Sequence, residues 1–413
     1  MAASGNGQQQ TGRAFARASP GGEVDVVVAG AGPVGAVAAT ALARAGVNVL
    51  LVESGPACHE DLRASTFHPP TLEMLQSLDL LEPLLEQGLK APVYQYRIRA
   101  TGQVLAFDLS ELADITPFPF RLQCEQWKLA RLAAARLGGQ VRFSRRVVHF
   151  QQDGAGVTVH LEAPNEIEEV RAKFLVAADG ANSLIRKWLN ISFEGFTYPE
   201  KFVTLSTDRP LQDHFEDLAF VNYVSDPEWW HVLLRVPTLW RVLVAASDAT
   251  PDAELLSDTA KERVFERLIG DPSVETRHRT IYRVHQRVAA RFDHGRVLLV
   301  GDAAHLNNPL GGLGMNSGIH DAMNLAEKLA AVLLDGADAD ALLPRFGRQR
   351  RAVTHSFIQE QTRKNKAMIE ADEAARRPVF AEMADVLKDR DRRRAWMHRQ
   401  AMFASLEEAA AIS

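Results

Sequence analysis

The chain has 413 residues, 46% of them hydrophobic and 24% charged, a globular balance large enough for two domains around a substantial core. Its 47 basic and 52 acidic side chains leave a formal charge of −5, which predicts no nucleic-acid partner and no membrane-surface partner. Two cysteines, Cys58 and Cys124, build neither a disulfide framework nor a metal-ligand spacing and fit a reducing cytoplasm, and no apolar run approaches the roughly 18 residues that span a bilayer.

Met1 to Gly22 is rich in Gly, Gln, Ala and Arg, lacks a signal-type apolar stretch and reads as a disordered tail. The next stretch, Val24 to Glu53, is the one the chain is organised around. The β-branched run Val24–Val28 predicts a strand. Gly30-Ala31-Gly32-Pro33-Val34-Gly35 then turns into an alanine-rich helix, and Val47–Val52 makes a second strand ending in Glu53. Gly30 permits the tight turn, and Gly32 lets a pyrophosphate approach the backbone at the positive end of the helix. Gly35 lets helix and strand pack closely, and Glu53 can accept hydrogen bonds from ribose hydroxyls. Strand, glycine turn, helix and terminal acid together predict a bound adenine dinucleotide. Arg63, just beyond this unit, is a candidate phosphate contact, while His68 reads as structural more readily than catalytic.

Val93 to Phe107 predicts two short strands around Thr101-Gly102. Phe118 to Gln126 leads into a helix, Trp127 to Leu137, with Leu129, Leu132 and Ala133 on one face. Strands Val141–Phe150 and Val157–Leu161 precede a buried strand, Phe174–Ala178, that delivers Asp179-Gly180 to a helix carrying Arg186. From Ile191 to about Val284, short alternating runs separated by turn signals such as Ser225-Asp226-Pro227 predict an antiparallel sheet, a second domain holding Trp229, Trp230 and Trp240. Arg296–Val300 is another buried strand. It runs into Gly301-Asp302 and the loop Pro309-Leu310-Gly311-Gly312-Leu313-Gly314-Met315-Asn316, followed by a helix to Leu334. Such a loop at a helix N-terminus presents backbone N–H groups to an electron-rich acceptor. The remainder is helical and charged, and its basic clusters (Arg348, Arg350, Arg351 and Arg390, Arg392, Arg393, Arg394) read as solvated faces.

Three motifs in this order, Gly30–Gly35, Asp179-Gly180 and Gly301-Asp302 with its glycine loop, resemble the single-component FAD-dependent aromatic hydroxylases, the para-hydroxybenzoate hydroxylase-like flavoprotein monooxygenases. The resemblance runs from about Val24 to Arg351. It implies an α/β fold: a Rossmann-like FAD-binding domain (23–190 and 285–345, with small substrate-side strands at 93–120), an inserted antiparallel-sheet substrate domain (191–284) and C-terminal helices (346–413). It further implies that Gly30, Gly32, Pro33, Gly35 and Glu53 hold the ADP half of FAD and that Arg63 contacts its phosphates. Gln126, or Gln123 in the other register, would lie near the ribityl chain. Asp179 and Gly180 match a motif for both FAD and NAD(P)H, Asp302 would bond the ribityl hydroxyls, and Gly301 leads into it. Pro309, Gly312, Gly314, Met315 and Asn316 would lie against the isoalloxazine. Asn308-Pro309 stands where many relatives have two prolines, and no second GxGxxG is present for a resident nicotinamide.

The chemistry so implied is hydroxylation of a small aromatic, phenolic or N-heteroaromatic and with or without a carboxylate, by NADH or NADPH and O2 through a flavin C4a-hydroperoxide. The protein's part is to orient the cofactor and exclude water. The ring must be activated, usually as an ionised phenol. Tyr223 and His231 are candidates to orient or deprotonate it. Arg235 and Arg241, six apart on adjoining runs, resemble a family pair of which the first grips a substrate carboxylate and the second lies near the flavin. A flavin-dependent reductase or dehydrogenase on the same scaffold, and a non-catalytic flavin-bound sensor, are the alternative readings. Flavin halogenases of this fold carry Trp-x-Trp-x-Ile, which Trp229-Trp230 does not fit. Either a monomer or a homodimer is compatible with the sequence.

Overall fold

The computed structural model describes residues 23–60, 64–226 and 228–413; the segment Met1 to Gly22, read above as a tail, and Arg63 lie outside the described residues. Val24–Ala29 is the central strand of the first sheet. It pairs in parallel with Val49–Val52 on one side and Ile167–Ala177 on the other, and its valines are buried on both faces, which is why the run is apolar without alternation. Val141–Arg142 extends the sheet beyond Val49–Val52. Val297–Leu299 extends it beyond Ile167–Ala177, with Asp293–His294 as an antiparallel edge. Helices Pro33–Ala45 and Leu313–Leu334 pack together over this sheet. The approach is close because Gly318 carries no side chain: a Cβ there would lie 2.6 Å from a Val34 methyl.

The second sheet has eight strands in the order His305–Leu306, His278–Ala289, Phe193–Thr207, Trp240–Ser247, His231–Arg235, Val221–Ser225, Val93–Ile98 and Val104–Asp108. Pairing is antiparallel throughout except between Val221–Ser225 and Val93–Ile98. Strict alternation gives it two buried faces. One carries Tyr94, Tyr96, Tyr223, Val232 and Leu243 toward the C-terminal helices, and the other carries Leu205, Leu233, Trp240 and Val242 toward helix Asp258–Ile269. The short strand His305–Leu306 follows Val297–Leu299 after one turn, so Gly301–Ala304 bridges the two sheets.

The C-terminal helices run from Ala339 to Ala410, with one π-helical turn at Thr354–Gln359. Their basic clusters are not simply solvated. Arg350 is 1% exposed and paired with Asp321, while Arg393 and Arg394 bind Glu111 and Asp114 across the interface with the second sheet. Among the described residues no helix is long and apolar enough to cross a membrane.

Candidate active site between the two sheets

A single cavity of about 690 Å³ runs from the Gly30–Gly35 turn to the second sheet. At its first end the three glycines play different parts. Gly30 has φ +103°, and a Cβ on it would meet the Ala178 carbonyl at 2.4 Å; a Cβ on Gly35 would meet the Gly30 carbonyl at 2.0 Å. Both are required by the protein itself. Around Gly32 nothing of the protein lies within 4 Å of such a Cβ, so the space it leaves is cavity. Gly32 caps helix Pro33–Ala45, whose first turn has neither a side-chain cap nor an acidic residue, leaving its positive end for a ligand anion. Glu53 closes the turn: its carboxylate accepts from the N–H groups of Ala31 and Gly55, both at 2.8 Å.

Asp179 and Gly180 line the same space. Asp179 accepts from the Ile185 N–H at 3.3 Å, but its other oxygen is buried with no partner among the described residues, and burial pushes its carboxyl pKa up. A buried acceptor in a cavity wall calls for a donor from whatever fills the cavity. Gln126 lines the cavity at the start of helix Gln126–Leu137. Gln123, the other register, does not: it is buried and accepts from Thr66 Oγ1 at 3.1 Å.

Asp302 reaches the cavity from a turn that is held firmly from behind. Gly301 (φ +60°) donates its N–H to Asp321 Oδ2 at 3.1 Å. The same carboxylate takes His305 Nε2 at 2.8 Å and Arg350 Nε at 2.7 Å, all three side chains being buried. Burial alone would raise the Asp321 pKa; His305 and Arg350 outweigh it and hold the carboxyl below its usual range. The loop beyond is bent by Gly311 (φ +104°) and Gly312 (φ +70°). Gly312 caps helix Leu313–Leu334 without a side-chain cap. Pro309, Gly312, Gly314 and Met315 line the cavity, whereas Asn316 does not. Asn316 is fully buried, accepts from the His68 N–H at 2.9 Å and donates to the carbonyls of Thr66 and Gly312 at 2.8 and 2.6 Å. It is a clamp on the loop. His68 is a second clamp, donating Nε2–H to the Gly311 carbonyl at 2.8 Å and kept neutral chiefly by burial.

At the other end the cavity is walled by Thr204, Tyr223, Val232, Leu234, Arg241 and Leu243. Two sequence expectations are corrected here. Arg235 pairs with Trp240 and Leu234 with Arg241. Directly paired residues share a face, so the two arginines point to opposite sides of the sheet. Arg235 packs over the Trp240 ring at 5.8 Å and donates to the Pro237 carbonyl at 3.5 Å; it does not reach the cavity. His231 shares that far face, with Nδ1 3.2 Å from the Trp229 carbonyl and its pKa lowered to about 4 by burial. Tyr223 and Arg241 remain on the cavity side. No sequence motif pointed to Arg121, which is buried and donates Nη1–H to the Tyr223 hydroxyl at 3.4 Å.

The residues present fit FAD. Unopposed helix N-termini lie where phosphates and an electron-rich ring would sit, an orphan carboxylate oxygen and Asp302 lie between them, and an apolar compartment continues beyond. Residues 23–361 match the family model for the FAD binding domain. A para-nitrophenol 4-monooxygenase from a Pseudomonas species is 34% identical over 363 residues, 85% of this chain and 89% of that protein. The 6-hydroxy-3-succinoylpyridine 3-monooxygenase HspB of Pseudomonas putida is 34% identical over 330 residues, 77% of this chain and 82% of that protein. Among solved structures, p-nitrophenol 4-monooxygenase PnpA from Pseudomonas putida superposes with a TM-score of 0.85 at 31% identity, covering 94% of this chain and 98% of that one.

Proposed function

The chain belongs to the FAD binding domain family and is a flavin-dependent aromatic monooxygenase, and on that premise we propose that it uses NAD(P)H and O2 to hydroxylate a small phenol or hydroxylated N-heteroaromatic. The observation that carries the proposal is the continuity of one cavity from the dinucleotide turn to the Tyr223–Arg241 wall. When bound, FAD would supply the electron relay from NAD(P)H to O2 and the transfer of one oxygen atom.

The chain's own residues would do the rest. Gly32 and the start of helix Pro33–Ala45 would take the pyrophosphate, with Gly30, Pro33, Gly35 and Glu53 shaping the ADP end. Asp179, Gly180, Gln126 and Asp302 line the stretch where ribityl hydroxyls need acceptors and donors. Pro309, Gly312, Gly314 and Met315 would lie against the ring system, with N–H groups at a helix N-terminus favouring negative charge there. Arg241 would sit at the boundary between cofactor and substrate. The apolar compartment of Val232, Leu234 and Leu243 would exclude water from the reacting ring.

Two relatives support the substrate class: one is named for para-nitrophenol and one for a hydroxypyridine. With Arg235 turned away from the cavity, a substrate carboxylate has only Arg241 to meet on this hairpin, which favours a simple phenol over a carboxylated one. The test is aerobic NADH and NADPH oxidation by the FAD-loaded protein across a panel of phenols, with peroxide assayed alongside. Strong stimulation by one phenol with little peroxide supports the proposal. Oxidation that ends wholly in peroxide, or that no phenol or hydroxypyridine stimulates, refutes it.

A further inference from the structure

Strand Arg121–Gln123, paired with Thr66–Phe67 and Leu89–Ala91, precedes the helix that begins at Gln126. Its first residue is a buried cation in unusual company. The Arg121 guanidinium lies 4.3 Å from the centre of the Tyr94 ring; among the described residues its Nε has no partner and its one hydrogen bond to a neighbouring side chain goes to Tyr223. Among the described residues no carboxylate lies within ion-pair distance of it. The titratable groups around it are Tyr94, Tyr96 and Tyr223 from the second sheet and His68 from the loop beside Gly311. Burial keeps Tyr94 and Tyr96 protonated and His68 neutral, so among the described residues none of these three groups and no carboxylate balances the charge. A buried, unbalanced cation is costly, and the packing on Tyr94 would be served as well by an apolar side chain.

The polarity of the Tyr223 contact follows from the inventory of donors. A guanidinium has only donors; a phenol hydroxyl has one proton and two acceptor sites. The Tyr223 oxygen therefore accepts from Arg121, and its own proton is directed elsewhere. No acceptor among the described residues takes that proton, and Tyr223 lines the cavity with its ring stacked on Tyr96 at 5.2 Å.

We propose that Arg121 is a positioning residue that fixes Tyr223 as a hydrogen-bond donor into the cavity, so that the site takes its aromatic substrate as an oxyanion, and Tyr223 is not the base that ionises it. The inference rests on the aromatic-hydroxylase reading for the nature of the ligand, but its test needs no turnover.

The FAD-loaded protein is mixed with 4-nitrophenol, without NAD(P)H, below the pH at which the free phenol ionises, and the difference spectrum is recorded. The wild-type protein binds it as phenolate, its proton released to the solvent, seen by the visible band. Arg121→Met binds only the neutral phenol, and its affinity for the phenolate at alkaline pH falls about 10- to 100-fold, the loss of one charge-assisted interaction. It binds nitrobenzene, which has no ionisable oxygen, as tightly as wild type does. Arg121→Lys restores the phenolate band. Tyr223→Phe loses it, and adding Arg121→Met to Tyr223→Phe changes nothing further, since Arg121 acts through that hydroxyl. If Arg121→Met does not fold, Tyr223→Phe and Arg121→Lys decide the matter alone.

The inference is overturned if Arg121→Met with a full complement of FAD still shows the phenolate band, if its effect persists in the Tyr223→Phe background, or if the wild-type protein binds only the neutral phenol or no nitrophenol. A protein that binds the phenolate yet hydroxylates no phenol refutes the proposed function and leaves the Arg121–Tyr223 device standing.

Discussion

Gly32→Ala separates what the protein requires of its glycines from what a cofactor requires. The residue has φ −67° and ψ 175°, a conformation alanine adopts freely, and its Cβ would enter open space. Removing glycine's freedom from the unfolded chain stabilises by about 0.4–1 kcal/mol. Glycine's advantage over alanine as an N-cap offsets about as much. The apoprotein should therefore unfold in urea within about 0.5 kcal/mol of wild type. FAD affinity should fall nonetheless. The methyl group stands between the incoming pyrophosphate and the helix N-terminus, and losing one charge-assisted contact costs about 1.5–3 kcal/mol, or about 10- to 100-fold in Kd. Gly35→Ala is the contrast. Its Cβ would sit 2.0 Å from the Gly30 carbonyl, backbone that cannot step aside, and the apoprotein itself should lose about 1–3 kcal/mol or more. Urea unfolding of the apoproteins and FAD titration followed by flavin fluorescence measure both quantities. An unchanged FAD Kd in Gly32→Ala would refute the assignment of that space to the cofactor.

Other substitutions test other parts of the site. Arg241→Gln should raise KM for the stimulating phenol or lower FAD content, whereas Arg235→Gln on the opposite face should leave both at wild-type values in steady-state assays. Arg350→Met strips a fully buried carboxylate of a partner; urea unfolding should show a loss of about 3–5 kcal/mol. The buried His231 titrates at about 4 rather than 6.5. Above 6.5 it is neutral folded or unfolded and contributes no pH dependence; as pH falls from there toward 4 only the unfolded chain takes up the proton, and stability is lost. At 1.36 kcal/mol per pH unit that loss is about 3 kcal/mol, and His231→Gln should flatten the stability profile between those limits by that amount.

The parts of the fold that sequence made legible are those where one physical requirement acts locally. Val24–Val28 is apolar without alternation because a parallel strand is buried on both sides, and Gly30 and Gly35 are demanded by backbone contacts within the same unit. The parts that were not legible depend on distant partners or on parity. Arg235 and Arg241 are an even number apart and would share a face on one continuous strand, but a turn intervenes and the register pairs Arg235 with Trp240, which turns one arginine away. His231 goes with Arg235 for the same reason. Arg350 sits in a run of arginines that resembles a solvated face, and only Asp321, on another helix, makes it a buried ion. Asn316 belongs to a glycine motif yet spends its hydrogen bonds on Thr66, His68 and Gly312. Arg121 lies in no motif, and only the fold brings it to Tyr223.

The central claim, that one cavity joins a flavin to an aromatic ring so that oxygen passes from one to the other, is tested most directly by isotope. The FAD-loaded protein is supplied with NAD(P)H, the phenol that best stimulates oxidation, and 18O2, and the product is analysed by mass spectrometry. One 18O atom in the aromatic product, at close to one product per NAD(P)H consumed, is the expected result. Product oxygen drawn from water, or NAD(P)H consumption matched by peroxide with no hydroxylated product, would contradict it.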